Sequence, residues 1–257
     1  MILTGNIGNA SITLGVYSEE SRIASASISA LLDRSVDEYA VLLKGALEIA
    51  GIDLSKLNGC IFSSVVPPLT GRLAAAVQKL TGLKPLTVGP GIKTGFPIRI
   101  DQQTQLGGDI VALAAGLLAS RPCPAVSIYF GTATTLVTVD RSGALLGVSI
   151  APGLGLSLDA LSARTAQLPR ISLERPPAAI GRNTQDAMNS GVVFGTASML
   201  DGMLGRIADE LGEPLASVTA TGSLAELVVP CCTSDIVIDP DLMHRGLYEL
   251  YKKQQRK

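Results

Sequence analysis

The chain has one histidine, His244, and four cysteines, Cys60, Cys123, Cys231 and Cys232. A lone histidine leaves no Ser-His-Asp triad and no histidine-rich metal site. The cysteines lack metal-ligand spacing, and the adjacent Cys231-Cys232 is ill suited to an ordinary disulfide, so all four read as reduced core thiols. Catalysis here must therefore run on carboxylates, backbone amides and bound ions. Two segments have the composition to offer amides. Gly5-Asn6-Ile7-Gly8-Asn9 and Gly131-Thr132-Ala133-Thr134 each sit at a strand-to-strand transition. Each is predicted to be a hairpin turn with donors for an anion. Neither usual phosphate loop occurs: there is no GxxxxGK[ST], and no GxGxxG follows a strand and opens a helix. Gly153-Leu154-Gly155-Leu156-Ser157 fails that spacing and reads as a loop leading into a helix.

The elements that would position these turns repeat. A strand at residues 2–4 leads into the first turn, and residues 10–17 alternate, with Ile12, Leu14 and Val16 on one face. A polar turn and a strand at 22–29 follow. Ser35 reads as the N-cap of a helix carrying Tyr39, Leu42, Leu43 and Leu47 on one stripe. Residues 60–66 form a buried strand stopped by Pro67-Pro68. A helix at 69–80, a short strand at 85–88 and a helix at about 106–120 complete the first half. Arg121-Pro122-Cys123-Pro124 looks like a junction. The pattern then restarts: strand 125–130, turn, strands 136–140 and 144–150, helices at about 157–166 and 184–211. Strand 217–221, helix 224–228, strand 235–238 and helix 240–252 end the chain.

Two lobes are expected, residues 1–120 and 121–257, since 257 residues exceed one ordinary ~100–150-residue domain. With 47% apolar residues, 4% aromatics and no Trp, the core must be aliphatic. Duplicated lobes with Gly-Asn and Gly-Thr turns point to an α/β, two-lobed actin/hexokinase-like (ASKHA) fold, each lobe a mixed sheet flanked by helices. The longest apolar run, 110–119, is shorter than the ~18–20 residues of a membrane span. The N-terminus lacks a basic leader region, so a cytoplasmic location is expected. A net charge of −1 argues against a nucleic-acid partner. The basic run at 252–257 reads as a helix end favoured by the dipole.

Several segments resemble the type III pantothenate kinases. They are Ser63-Ser64-Val65-Val66-Pro67-Pro68-Leu69-Thr70, Gly91-Ile92-Lys93-Thr94-Gly95 with Pro97-Ile98-Arg99, and Phe130-Gly131-Thr132-Ala133-Thr134-Thr135. The run from Ile150-Ala151-Pro152-Gly153 through Gln167-Leu168-Pro169 continues the match, as do Ile180-Gly181-Arg182-Asn183-Thr184 and Asp239-Pro240-Asp241-Leu242. The resemblance implies a homodimer whose active sites involve both subunits. It implies transfer of the γ-phosphate of ATP to pantothenate, the first step of coenzyme A biosynthesis, with magnesium and a monovalent cation. Phosphoryl transfer needs positioned reactants, charge neutralisation and a carboxylate to take the hydroxyl proton.

Carried over residue by residue, the resemblance places ATP at Asn6, Gly8, Asn9, Gly131, Thr132 and Gly222. It places the substrate at Ile100, Gly107, Gly108, Ile110 and Thr184, and the general base at Asp109. Asp109 also has a plain alternative, an acid favoured at a helix N-terminus. Several positions depart from the family pattern, among them Ala10 and Ser223 in the phosphate and adenosine motifs. Asn6 replaces an aspartate of the first phosphate motif, and Tyr129 an aspartate at the monovalent-cation position, so no metal ligand is expected from this chain. Ile110 replaces an arginine and Ile100 an aromatic residue of the substrate pocket. In the family, the intact stretch 151–169 and Thr184 line the neighbour's pocket. Together these features imply a catalytically impaired family member acting as partner or regulator of an active paralogue. The alternatives are an active homodimeric kinase with unusual site residues and a ligand-sensing or interaction protein on the same scaffold.

Overall fold

Alternation at the N-terminus produces a three-stranded meander. In the computed structural model, which describes residues 1–255, β1 (Ile2–Ile7), β2 (Ser11–Ser18) and β3 (Ser21–Ser29) pair antiparallel. Then follow α1 (Val36–Ile49), β4 (Gly59–Ser64), α2 (Pro67–Thr81), β5 (Leu86–Thr87) and α3 (Gly108–Ser120). The sheet order is β3-β2-β1-β4-β5, with β4 and β5 parallel to β1. Ser35 closes a full capping box with Glu38 at the start of α1, as its sequence position predicts. Pro67 and Pro68 do more than stop β4. They open α2, where a missing N–H is harmless, so that helix begins two residues earlier than expected. One face of the sheet, with Leu3, Ile7, Ile12, Leu14, Val16 and Phe62, packs with Leu43 and Leu73 into an aliphatic core.

The second unit repeats this wiring. It contains β6 (Ala125–Phe130), β7 (Ala133–Val139), β8 (Leu145–Pro152), α4 (Leu154–Arg164), α5 (Thr184–Leu211), β9 (Ser217–Thr221), α6 (Ala225–Val228) and β10 (Val237–Ile238). The order β10-β9-β6-β7-β8 is that of the first sheet, element for element. Asn183 caps α5 by accepting from the Asp186 amide, and Gly212, at φ 70°, ends it 28 residues later. Val193, Ala197 and Leu200 of α5 meet Val126, Ile128, Phe130 and Leu136 in the core. α4 starts at Leu154, earlier than expected, because the Gly153-Leu154-Gly155 stretch is already helical from its second residue.

The division of the chain corrects the expected boundary. One unit is Met1–Ser120 together with the segment from Asp241 on, and the other is Arg121–Pro240. The last helix, α7 (Leu242–Gln255), therefore belongs to the first unit. Its contacts explain why. Tyr17 donates to Asp241 at 2.7 Å and stacks on Tyr248 with ring centroids 4.6 Å apart. The Thr4 hydroxyl and His244 Nδ1 are 2.9 Å apart. A Cβ on Gly246 would lie 1.8 Å from the Ala112 carbonyl, so α7 crosses α3 at backbone contact. Arg256 and Lys257, the end of the expected basic run, lie outside the described residues. No described helix is long and apolar enough to cross a membrane.

Candidate active site

Asn6 in the first unit, and Gly131 and Gly222 in the second, lie at the carboxyl ends of parallel-paired strands, where ligands bind in open α/β sheets. In the first unit, Asn6 near the end of β1 faces Ser63 of β4 in register. Asn6 is only 4% exposed, and the Ser63 hydroxyl donates to its Oδ1 at 2.8 Å. A carboxylate here would accept the same bond and keep a net charge; the amide keeps the bond alone. Gly8 and Asn9 form the turn that follows. The Gly8 amide donates back to the Ser11 carbonyl at 2.9 Å, so this glycine shapes the turn without offering its N–H to a ligand. Asn9 is exposed, and its amide is not used in closing the turn.

Asp109 sits in the first turn of α3. The Gly107 carbonyl accepts from both Ile110 and Val111 at 3.1 and 3.3 Å, which starts the helix. Two glycines make room. A Cβ on Gly107 would lie 2.4 Å from Asp109 Oδ1, and one on Gly108 would lie 2.7 Å from the Val88 carbonyl just past β5. The carboxyl group is thus folded back over a side-chain-free backbone. Asp109 Oδ1 is buried and has no hydrogen-bond partner among the described residues. Desolvation pushes its pKa up, against a weaker pull from the backbone amides of Ile110 and of Asp109 itself. Ile110, predicted to touch substrate, is 8% exposed. Ile100 is half-buried in the irregular stretch before α3.

The second unit holds the matching turn. The Gly131 amide donates to the Ala133 carbonyl at 3.1 Å, so here too the glycine closes the turn and leaves the exposed Thr132 at its tip. Gly153 and Gly222 press on this turn. A Cβ on Gly153 would come within 2.3 Å of the Thr132 carbonyl, and one on Gly222, at φ 101°, within 2.4 Å of the Phe130 carbonyl. Gly153 is a site-shaping residue that motif spacing alone did not single out; its signal was the close helix approach a glycine allows. The Tyr129 ring lies against Gly131, where a Cβ would be 2.6 Å from a ring carbon. Thr184 lies apart from the turn, exposed at the start of α5. It lines a cleft of about 560 Å³ with Leu161, Leu168, Arg182, Asn183 and Met188.

Asn6 and Tyr129 are neutral, and no three His, Cys, Asp or Glu side chains converge among the described residues, so a magnesium ion here would be held mainly through the phosphates of ATP. What the residues can do is present the exposed turn tips at Asn9 and Thr132 to an anion and hold one desolvated carboxyl group where a proton could be taken.

Two like-wired mixed sheets with glycine-shaped turns at their carboxyl edges define an actin/hexokinase-like protein. Component A of (R)-2-hydroxyglutaryl-CoA dehydratase from Acidaminococcus fermentans shares this fold, with a TM-score of 0.60 at 13% identity over 99% of each chain. The family model for type III pantothenate kinase matches residues 2–206. The type III pantothenate kinase of Geotalea uraniireducens is 37% identical over 255 residues, 99% of each chain. That of Moorella thermoacetica is 36% identical over 253 residues, 98% of this chain and 99% of its own. This chain belongs to the type III pantothenate kinase family.

Proposed function

We propose that this protein binds ATP at its two turns and a pantothenate-type alcohol near Asp109, and that it transfers phosphate to pantothenate only slowly. The carrying observation is the contrast between Asp109, retained and desolvated, and the neutral groups at Asn6 and Tyr129. In the transfer, the γ-phosphorus bonds to the substrate hydroxyl oxygen as its bond to the β,γ-bridging oxygen breaks, and ADP leaves. Asp109 accepts the hydroxyl proton. Its desolvation raises its proton affinity, which suits a base that must hold a proton once the new bond forms. Removing one group that stabilises transition-state charge typically costs ~3–4 kcal/mol, about 10²–10³ in rate. Losses within one site do not simply multiply.

The same contrast supports a role beside an active paralogue. The α4 and α5 segments around Thr184, which the resemblance places against a neighbouring subunit's pocket, lie within the stretch matched by the family model. A coupled assay of ADP release with pantothenate tests the first part, with expected turnover far below one per second. Turnover of several per second makes the chain an ordinary homodimeric kinase. Restoring Asn6→Asp with Tyr129→Asp should raise the rate, and adding Asp109→Asn to that pair should abolish the gain. Co-purification with an active type III pantothenate kinase of the same cell tests the partner role.

A further inference from the structure

The stretch that leads to Asp109 is a long, largely irregular loop tied down from far away in the sequence. It leaves β5 at Val88 and reaches α3 at Gly108, with a 3₁₀ turn at Gln103–Gln105 on the way. Its two ends touch: a Cβ on Gly108 would lie 2.7 Å from the Val88 carbonyl. Its internal bonds are short-range. The Ile92 amide donates to the Gly89 carbonyl at 3.1 Å, the Thr94 hydroxyl to the Phe96 carbonyl at 2.9 Å, and Gln103 Nε2 to the Ile98 carbonyl at 2.8 Å. Bonds of this reach shape bends and do not fix where the whole loop lies.

At Lys93 the last turn of α7 supplies a long-range tie. The Lys93 amide donates to Gln254 Oε1 at 3.2 Å, and Gln254 Nε2 donates to the Lys93 carbonyl at 2.8 Å. One side-chain amide thus pairs with both backbone groups of a residue 161 positions away, as a neighbouring strand would. Gln254 Nε2 also donates to the Leu250 carbonyl one turn back at 3.0 Å, which fixes which way round the amide faces. Gly91 at φ 87° and Gly95 at φ 80° bend the chain on either side of Lys93. The Lys253 stem lies across Gly95, where a Cβ would meet its Cε at 2.9 Å.

Beyond Lys93 the loop carries Ile100 and ends at Gly107, whose missing side chain makes room for the Asp109 carboxyl group. A loop released at Lys93 would sample other positions, and a ligand's apparent affinity falls by the fraction of molecules in which its site is assembled. We propose that Gln254 is a positioning residue for the alcohol site: by clamping Lys93 it holds the loop that carries Ile100 and leads into Asp109. This rests on the reading that pantothenate binds near Asp109, and it adds a residue of α7 that lies outside every motif segment.

Gln254→Met keeps the length of the side chain and removes its three hydrogen bonds. Calorimetric titration of the full chain, with pantothenate and ATP as separate probes, tests the role. The variant should bind pantothenate about tenfold more weakly, the loss expected when bonds of this kind no longer order the loop, and ATP within about threefold of the parent. A merely structural role would move both ligands together. Amide hydrogen exchange should quicken at residues 92–106 and stay unchanged in β1 and β4. Unchanged pantothenate binding in a variant whose loop exchanges faster overturns the inference and leaves the family-substrate reading intact. Failure of pantothenate to bind the unmodified protein overturns the two together.

Discussion

Replacing Asp109 by Asn should make this protein more stable at neutral pH, and the sign is what matters. An acid placed early in a helix for the dipole's sake contributes ~0.3–1 kcal/mol, and its loss destabilises. The structure predicts the reverse. Asp109 Oδ1 is buried and unpartnered among the described residues, and an unsatisfied buried acceptor costs more when it is charged. Asparagine keeps the shape and the buried polar atom and removes only the charge, a gain of about 1 kcal/mol. For a chain of this size that gain corresponds to a rise in melting temperature of roughly 2–4 °C. The pH dependence follows from the raised pKa. Because the folded carboxyl holds its proton more tightly than the unfolded one, its protonated form is the better tolerated. Stability is highest below the unfolded value of 3.8, falls as pH rises from there through the folded pKa, and stays reduced above it. The difference between the two proteins should therefore be widest at pH 7.5 and close toward acid pH. Thermal melts of both proteins across this range suffice, and taking the difference cancels titrations they share. A variant less stable than the parent at pH 7.5 would falsify the stored-strain reading and leave Asp109 as a helix-start acid.

Three further outcomes are expected. Burial pushes the His244 pKa down to about 3 from 6.5, so the folded protein excludes a proton that the unfolded chain takes up as pH falls below 6.5. Urea melts should show stability that is present at pH 7.5 and about 2 kcal/mol lower by pH 5, and His244→Asn should flatten that slope. ATP binding measured by calorimetry should be weak and nearly unchanged when magnesium is withdrawn, since Asn6 and Tyr129 hold no charge for a cation; tight, magnesium-dependent binding contradicts this. Gly246→Ala drives a methyl into the Ala112 carbonyl, backbone against backbone, and should cost ~1–3 kcal/mol, or roughly 2–12 °C in melting temperature.

What the sequence showed of the fold was local. Alternation at residues 10–17, the Ser35–Glu38 pair and the repeated turns report on neighbours a few residues apart, and the structure has the two like-wired sheets they implied. The placement of α7 escaped because it depends on pairs such as Thr4 with His244, 240 residues apart, which no window can sense. Composition marked Gly8 and Gly131 as phosphate-facing donors. Their amides turn inward to Ser11 and Ala133 because closing the turn consumes them, a matter of backbone angles that composition does not encode. The burial of Ile110 and the ring of Tyr129 over Gly131 were likewise invisible in one dimension. The motif letters showed which residues had changed and nothing of how the changed residues were accommodated.

That accommodation separates the groups. Asn6 has the Ser63 hydroxyl on its Oδ1, and Tyr129 lays its ring on a glycine backbone that leaves room for it. Ile110 is buried, as an isoleucine should be. At these three positions the residue present suits the fold. Asp109 is the exception. It is desolvated, one oxygen lacks a partner among the described residues, and Gly107 leaves its carboxyl group space that a side chain would fill. A position free to change should lose so costly a residue first, because most stabilising substitutions are open to it. A buried carboxyl group with an unpartnered oxygen is what the proposed role of Asp109 in taking a proton from an alcohol requires, and it is the feature the Asp109→Asn melts test.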